Sequence, residues 1–245
     1  MKLNISNTID EVLGNVAEYF IAAANDSIAQ HGSFEVALSG GSSPKKLYSL
    51  LTTSPYTERV DWDKVLFFFG DERYVPTTDP ASNYLMAQKV LFEPLNIDMT
   101  KVFAVDTTLA PEAAAAQYMN DITRHFDDRE PIFDLVLLGL GDNSHTASLF
   151  PYTPVLQEQK AGIKSVFLTD QQVYRITFTA PLINMAARVA FLVYGETKSD
   201  AVYNVLEGEN DAENFPAQLV NSKAKSIEWF MDRAAAARLM SAGAN

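Results

Sequence analysis

Three short, mostly apolar stretches constrain this chain most: Phe34-Glu35-Val36-Ala37-Leu38, Val65-Leu66-Phe67-Phe68-Phe69 and Arg188-Val189-Ala190-Phe191-Leu192-Val193-Tyr194. A fourth, Phe133-Asp134-Leu135-Val136-Leu137-Leu138, is of the same kind, with one acid near its start. They are too short for helices, and they do not alternate apolar with polar. Strands of this kind are buried on both faces, which is the habit of parallel sheets covered by helices. Helical spacing lies between them. Ile9, Val12, Leu13, Val16, Ala17, Phe20, Ile21 and Ala24 define a helix from Ile9 to His31, closed by Gly32. Pro111 to Phe126 is an alanine-rich helix, and Glu196 to Leu206 is a third, with Lys198 in its first turn. The expectation is a single α/β domain over residues 1–245, with a Rossmann-like, mainly parallel sheet and helices on both faces.

Further elements are expected by the same reasoning. Val102 to Val105, Ser165 to Leu168 and Tyr174 to Thr179 read as strands. A helix follows Ser82-Asn83-Tyr84 and runs through Leu91, and Pro181 to Ala187 is a short helix. Ser226 to Met231 reads as an edge strand and Arg233 to Met240 as a closing helix. The segment Met1 to Asp10 has no basic stretch followed by an apolar core, so it does not read as a signal peptide, and no apolar run reaches bilayer length. A cytoplasmic protein is expected. The net charge of −12 and the lack of a basic run argue against nucleic-acid binding. There is no cysteine, so thiolate catalysis and cysteine metal sites are excluded. The three histidines are far apart in sequence, so no dedicated zinc site is expected; His31 and His125 read as helix-end residues.

The chemistry concentrates in the loops after the buried strands. Parallel strands deliver such loops to one edge of the sheet, where ligands bind at a switch in strand order. Ser39-Gly40-Gly41-Ser42-Ser43-Pro44 leads into a helix, with Ser43 as the expected N-cap and Pro44 at the first helical position. A Gly-Ser loop at a helix N-terminus suits an anion, and equally suits a plain tight turn. Gly70-Asp71-Glu72-Arg73-Tyr74-Val75-Pro76 places two acids and an arginine after the second strand, either as site residues or as surface ion pairs. Gly139-Leu140-Gly141-Asp142-Asn143-Ser144-His145-Thr146 carries the remaining histidine at the end of the strand that begins at Phe133.

Taken together and in order, these loops, with Ser82-Asn83-Tyr84, Arg175-Ile176-Thr177, Gly195 and Lys198, Trp229 and Asp232, resemble the 6-phosphogluconolactonases of the glucosamine-6-phosphate isomerase/6-phosphogluconolactonase family. The resemblance runs from about Ile9 to Leu239. It implies hydrolysis of 6-phosphoglucono-1,5-lactone to 6-phosphogluconate in the oxidative pentose phosphate pathway, with no metal or organic cofactor. It implies a phosphorylated sugar lactone as the only small-molecule partner, and a monomer or small homo-oligomer. Residue by residue, His145 matches the general base and Arg73 an active-site arginine. Gly41, Ser42, Ser43, Arg175 and Lys198 match the phosphate-binding side, and Asp71 and Asn143 complete the expected substrate site. The chain departs from the family where Asn143-Ser144 stands in place of Asp-Gly. Asn143 can orient the ring but cannot charge-stabilise it. Two other readings are a glucosamine-6-phosphate deaminase-type enzyme, against which Phe150 and Arg73 speak, and a non-catalytic sugar-phosphate sensor.

Overall fold

In the computed structural model, residues 1–127, 129–221 and 226–240 are described; the last part of the expected 1–245 domain lies outside them. Strand β2 (Phe34–Leu38) is buried along its whole length. Phe34, Val36 and Leu38 pack into one hydrophobic cluster, and Ala37 into the other. The first cluster lies under α1 (Ile9–His31) and α2 (Ser42–Leu51). The second lies under α4 (Pro111–His125), α5 (Ala180–Met185) and α6 (Ser199–Leu206). A strand sandwiched this way has no solvent face, so its sequence has no reason to alternate.

The main sheet has six strands, in the order β1-β9-β8-β5-β2-β3, and every pairing is parallel. Here β1 is Lys2–Ser6, β3 Val65–Phe69, β5 Leu135–Leu138, β8 Arg188–Val193 and β9 Ser226–Asp232. From β2 the chain steps outward to β3 and later returns on the other side as β5. The strand order therefore reverses between β2 and β5, and a crevice is expected outside the carboxyl ends of those two strands.

The remaining strands form a separate antiparallel sheet, β4-β7-β6, from β4 (Asp71–Arg73), β6 (Ile163–Leu168) and β7 (Val173–Phe178). The sequence reading takes Asp71 to Arg73 as a loop. Instead the chain turns at Gly70, whose N–H still bonds Leu38 O at 2.9 Å, and then pairs with β7. Glu72 explains the turn. Its buried carboxylate accepts from the N–H groups of Asn83 and Tyr84, both at 2.8 Å, and from Ser82 Oγ at 3.1 Å. It thereby anchors the start of α3 (Asn83–Ala87). Burial pushes the Glu72 carboxyl pKa up, against those donors.

Four other expectations change. β9 is not an edge strand: it lies between β8 and β1, and the polar-rich Lys2–Ser6 strand takes the edge. Val102 to Val105 makes only one bridge, Val102 to Phe67, while Phe103 stacks on Phe68 at 4.4 Å between ring centroids. The helix after Ser82 ends as α at Ala87 and continues as a wider turn from Gln88 to Phe92. Arg233 to Met240 forms successive turns, because Arg233 N is held to Ser6 O at 3.0 Å and Asp232 Oδ1 captures Ala235 N at 2.8 Å. Among the described residues, no helix is long and apolar enough to cross a membrane.

Candidate active site

A cleft of about 270 Å³ opens where the strand order reverses. The loops after β2, β3, β5 and β8 all reach it, as parallel strands require. Of the residues expected from sequence, Gly41, Ser42, Ser43, Asp71, Arg73, His145, Arg175 and Lys198 line this cleft. Asn143 does not; it stands behind the imidazole, exposed.

On the Gly-Ser side, α2 begins at Ser42 and its N-cap is Gly41, two residues earlier than the Ser43 cap expected from sequence. Gly41 adopts φ 103°, a left-handed conformation that favours glycine. No side chain caps the helix, so its first-turn N–H groups remain available at the positive end of the dipole. Pro44 sits in this first turn, where a missing N–H costs nothing. The loop's start is clamped by Tyr48, whose fully buried hydroxyl accepts from Ser39 N and donates to Ser39 O, both at 2.9 Å.

The second sheet supplies two cations. Arg73 and Arg175 are direct cross-strand partners on β4 and β7. Burial, and then the neighbouring Arg73, lower the Arg175 pKa. Like charges placed opposite each other destabilise a strand pair unless an anion comes between them. Arg73 Nη1 donates to Ala81 O at 2.8 Å, and Arg175 Nη2 to Gln171 Oε1 at 3.2 Å. Neither side chain pairs with Asp71 or Glu72 among the described contacts, which favours the site alternative over surface ion pairs. Asp71 instead accepts from Ser148 Oγ at 2.7 Å and ties the third loop to β4.

Lys198 closes the cleft from the β8 side. The helical stretch expected from Glu196 to Leu206 is present, with its first turn, Glu196–Lys198, as 3₁₀ helix and Lys198 as the N-cap of α6. That turn is held by Asp232, which accepts from Gly195 N at 3.0 Å. Lys198 Nζ lies 2.6 Å from Asp142 Oδ1.

His145 occupies the centre. Its backbone N–H and its Nδ1 both face Asn143 Oδ1. With Oδ1 as acceptor, Nδ1 carries the proton and Nε2 keeps its lone pair. Phe150 stacks on the ring, with centroids 4.0 Å apart and planes inclined by 19°. Gly141 lies against the ring's other contacts: a Cβ there would stand 2.0 Å from Nδ1. Burial, then Lys198 and Arg175, lower the His145 pKa to about 4; Asp142 opposes the shift and Arg73 adds to it. The ring is therefore neutral at physiological pH. Ser144 is buried at φ 62°. The N–H groups of Gly141 and Ser144 bond His145 O and Gly141 O, so they are turned inward and cannot act as the oxyanion donors that the loop offers on paper.

Sequence reasoning missed the stacked partner Phe150 and the cleft-lining Ser148 and Tyr194. Phe150 reaches His145 only because the loop reverses over the Thr146 to Leu149 bridge, with Ala147 at φ 48°. Nothing in residue spacing announces that reversal.

A parallel α/β sheet with a ring-oriented neutral imidazole at its switch point, beside two arginines that no carboxylate pairs and a lysine held by Asp142, defines a class: a site for small anionic ligands handled by acid–base chemistry. The chain belongs to the glucosamine-6-phosphate isomerase/6-phosphogluconolactonase family, whose model matches residues 7–229. It is 39% identical to a 6-phosphogluconolactonase of Synechocystis over 217 residues, covering 87% of this chain and 88% of that one. A 6-phosphogluconolactonase of Haemophilus influenzae is 32% identical, with 93% and 95% covered. Among solved structures, a 6-phosphogluconolactonase from Trypanosoma cruzi superposes with a TM-score of 0.85 at 27% identity, covering 98% of this chain and 97% of that one.

Proposed function

We propose that this protein hydrolyses 6-phosphoglucono-1,5-lactone to 6-phosphogluconate, with His145 as general base. The observation that carries the reading is the imidazole itself. It is neutral, its Nδ1 is committed to Asn143, and it shares one cleft with Arg73, Arg175, Lys198 and the uncapped start of α2.

A lactone is an activated ester, so water suffices as nucleophile once a base removes its proton. His145 Nε2 takes that proton as the oxygen attacks the carbonyl carbon. Arg73 stabilises the oxyanion that develops, since the inner-loop N–H groups are already engaged. Collapse breaks the ring C–O bond, and the imidazolium returns its proton to the departing ring oxygen. Arg175, Lys198, Gly41, Ser42 and Ser43 hold the remote phosphate and so set the carbonyl against the base. Asp71 holds the Ser148 loop in place. The phosphate also offsets the cations that depress His145, so binding strengthens the base. No step calls for a metal or organic cofactor. The same reading carries a cytoplasmic setting and a monomer or small homo-oligomer.

A deaminase of this family is disfavoured by Phe150, which is apolar and packed on the imidazole. The test is turnover of freshly generated lactone, coupled to 6-phosphogluconate dehydrogenase and corrected for spontaneous hydrolysis. His145→Ala is expected to fall to the uncatalysed rate. Substantial turnover by that variant would remove His145 as the base. Binding of 6-phosphogluconate without turnover by the wild type would favour the sensor.

A further inference from the structure

The opposite edge of the sheet holds a second cluster that lactone hydrolysis does not use. There, at the amino ends of β2 and β5, lies a larger cavity of about 1080 Å³. His31 is the last residue of α1, and His125 the last of α4. His31 reaches Asp134, and His125 reaches Glu35. His31 Nε2 is 3.0 Å from Asp134 Oδ1, and His125 Nε2 is 3.4 Å from Glu35 Oε1. The donor atoms of His31, Glu35 and Asp134 all lie within 4.8 Å of one another. The histidines are dispersed in the sequence, yet the fold sets two of them on one pair of carboxylates.

We propose that His31, Glu35 and Asp134 form a divalent-metal site that takes Zn²⁺, with His125, already against Glu35, closing on it as the fourth ligand. Two imidazole nitrogens and two carboxylates are the ligand types that suit this ion, which prefers four of them in tetrahedral array. Imidazole donors disfavour the hard ions Mg²⁺ and Ca²⁺. The carboxylates are nearly buried and adjacent, an arrangement that a dication balances. Supporting contacts orient them. Glu35 N donates to Asp134 Oδ2 at 2.9 Å, leaving Oδ1 for the shared centre, and Ser33 Oγ donates to Glu35 Oε1 at 2.7 Å. His125 is held edge-on by Phe103 and Phe126, with centroids at 5.0 and 5.1 Å. The carbonyl ends of α1 and α4 both point their negative dipole ends at this place, which favours a cation. The metal would tie two helices to two strands, far from the cleft, and would act on stability and not on turnover.

The test uses tag-free, chelator-stripped protein titrated with Zn²⁺ by calorimetry, with Co²⁺ as a spectroscopic stand-in. One Zn²⁺ per chain is expected, with a rise in melting temperature and the visible bands of four-coordinate Co²⁺. Removing a ligand should weaken binding by more than the roughly 10- to 100-fold lost with a supporting group. His31→Gln removes an exposed ligand. Asp134→Asn removes a ligand charge but keeps an acceptor for Glu35 N. Both should lose Zn²⁺ while melting as the metal-free wild type does, and His145→Ala should bind as the wild type does. The proposal is overturned if no saturable binding occurs, if both variants retain it, or if His145→Ala abolishes it. The last two outcomes would leave the cluster as plain imidazole–carboxylate hydrogen bonds.

Discussion

Replacing Gly141 by alanine tests whether the imidazole's position, and not merely its presence, drives turnover. The backbone at Gly141 is not in the left-handed region, so alanine brings no conformational strain of its own. Its Cβ, however, would lie 2.0 Å from His145 Nδ1 and 2.1 Å from Cε1. Restoring an ordinary contact of 3.4 Å forces the ring back by about 1.4 Å. Phe150 blocks retreat on the stacked face, and the Nδ1 bond to Asn143 would have to break. A displacement of about 1 Å at a reacting group costs on the order of 10²-fold in rate, or roughly 2.7 kcal/mol of barrier. The expected result in the coupled lactone assay is a kcat lowered about 100-fold, with KM changed little because the phosphate contacts remain. The melting temperature should stay within a few degrees of the wild type, since the strain falls on a loop side chain at the cleft. A kcat near the wild-type value would refute the argument, because the ring would then need no defined position. A collapse of the melting temperature would refute it differently, by showing that the whole loop had rearranged.

Two other outcomes follow from the same site. Because the unprotonated ring is the base and its pKa is lowered to about 4, kcat/KM should stay level as pH falls and drop only near that value. In Asn143→Asp, a carboxylate beside Nδ1 stabilises the imidazolium, so the acid limb should move to higher pH; an unmoved limb would show that position 143 acts only by orientation. The depressed value also costs stability in acid. Between 6.5 and about 4 the unfolded chain takes up a proton that the native chain refuses, so the melting temperature should fall as pH is lowered through that window. Tyr48→Phe orphans both Ser39 N and Ser39 O, which should cost about 1–3 kcal/mol in denaturant unfolding and raise KM more than it lowers kcat. An unchanged KM would separate the Ser39 loop from phosphate binding.

How much of this was legible beforehand depends on the range of the forces involved. The burial of β2, β3 and β8 could be read from the chain, because a strand covered on both faces carries apolar residues on both and so does not alternate. The helix from Ile9 to His31 could be read too, since period and cap are local; it ends at Gly32 in a left-handed conformation, as a C-terminal glycine does. The loops after β2, β3 and β5 could be expected to converge, because parallel strands share a carboxyl edge. The antiparallel β4-β7-β6 sheet could not. Asp71 to Arg73 is too short to show a period, and its strand character exists only through pairing with β7. Lys2–Ser6 was equally silent, being an edge strand in which Ile5 is exposed and Ser6 buried, against what the residue types suggest.

The site divides in the same way. Sequence alone supplied the residue types of the site: His145, Arg73, Lys198 and the Gly-Ser loop after buried strands, and Arg175 within a strand. It also determined that Asn143 and Ser144 replace the family's usual pair. Only the tertiary structure decided that Asn143 fixes the imidazole from behind, that Phe150 covers its face, and that the loop N–H groups turn inward. Only the tertiary structure brought His31 to Asp134, 103 residues away along the chain, and His125 to Glu35, 90 residues away. The reason is physical. Composition and period record what each residue needs from its near neighbours, whereas a shared proton, a ring stack or a ligand set depends on atoms that meet only after the sheet has closed.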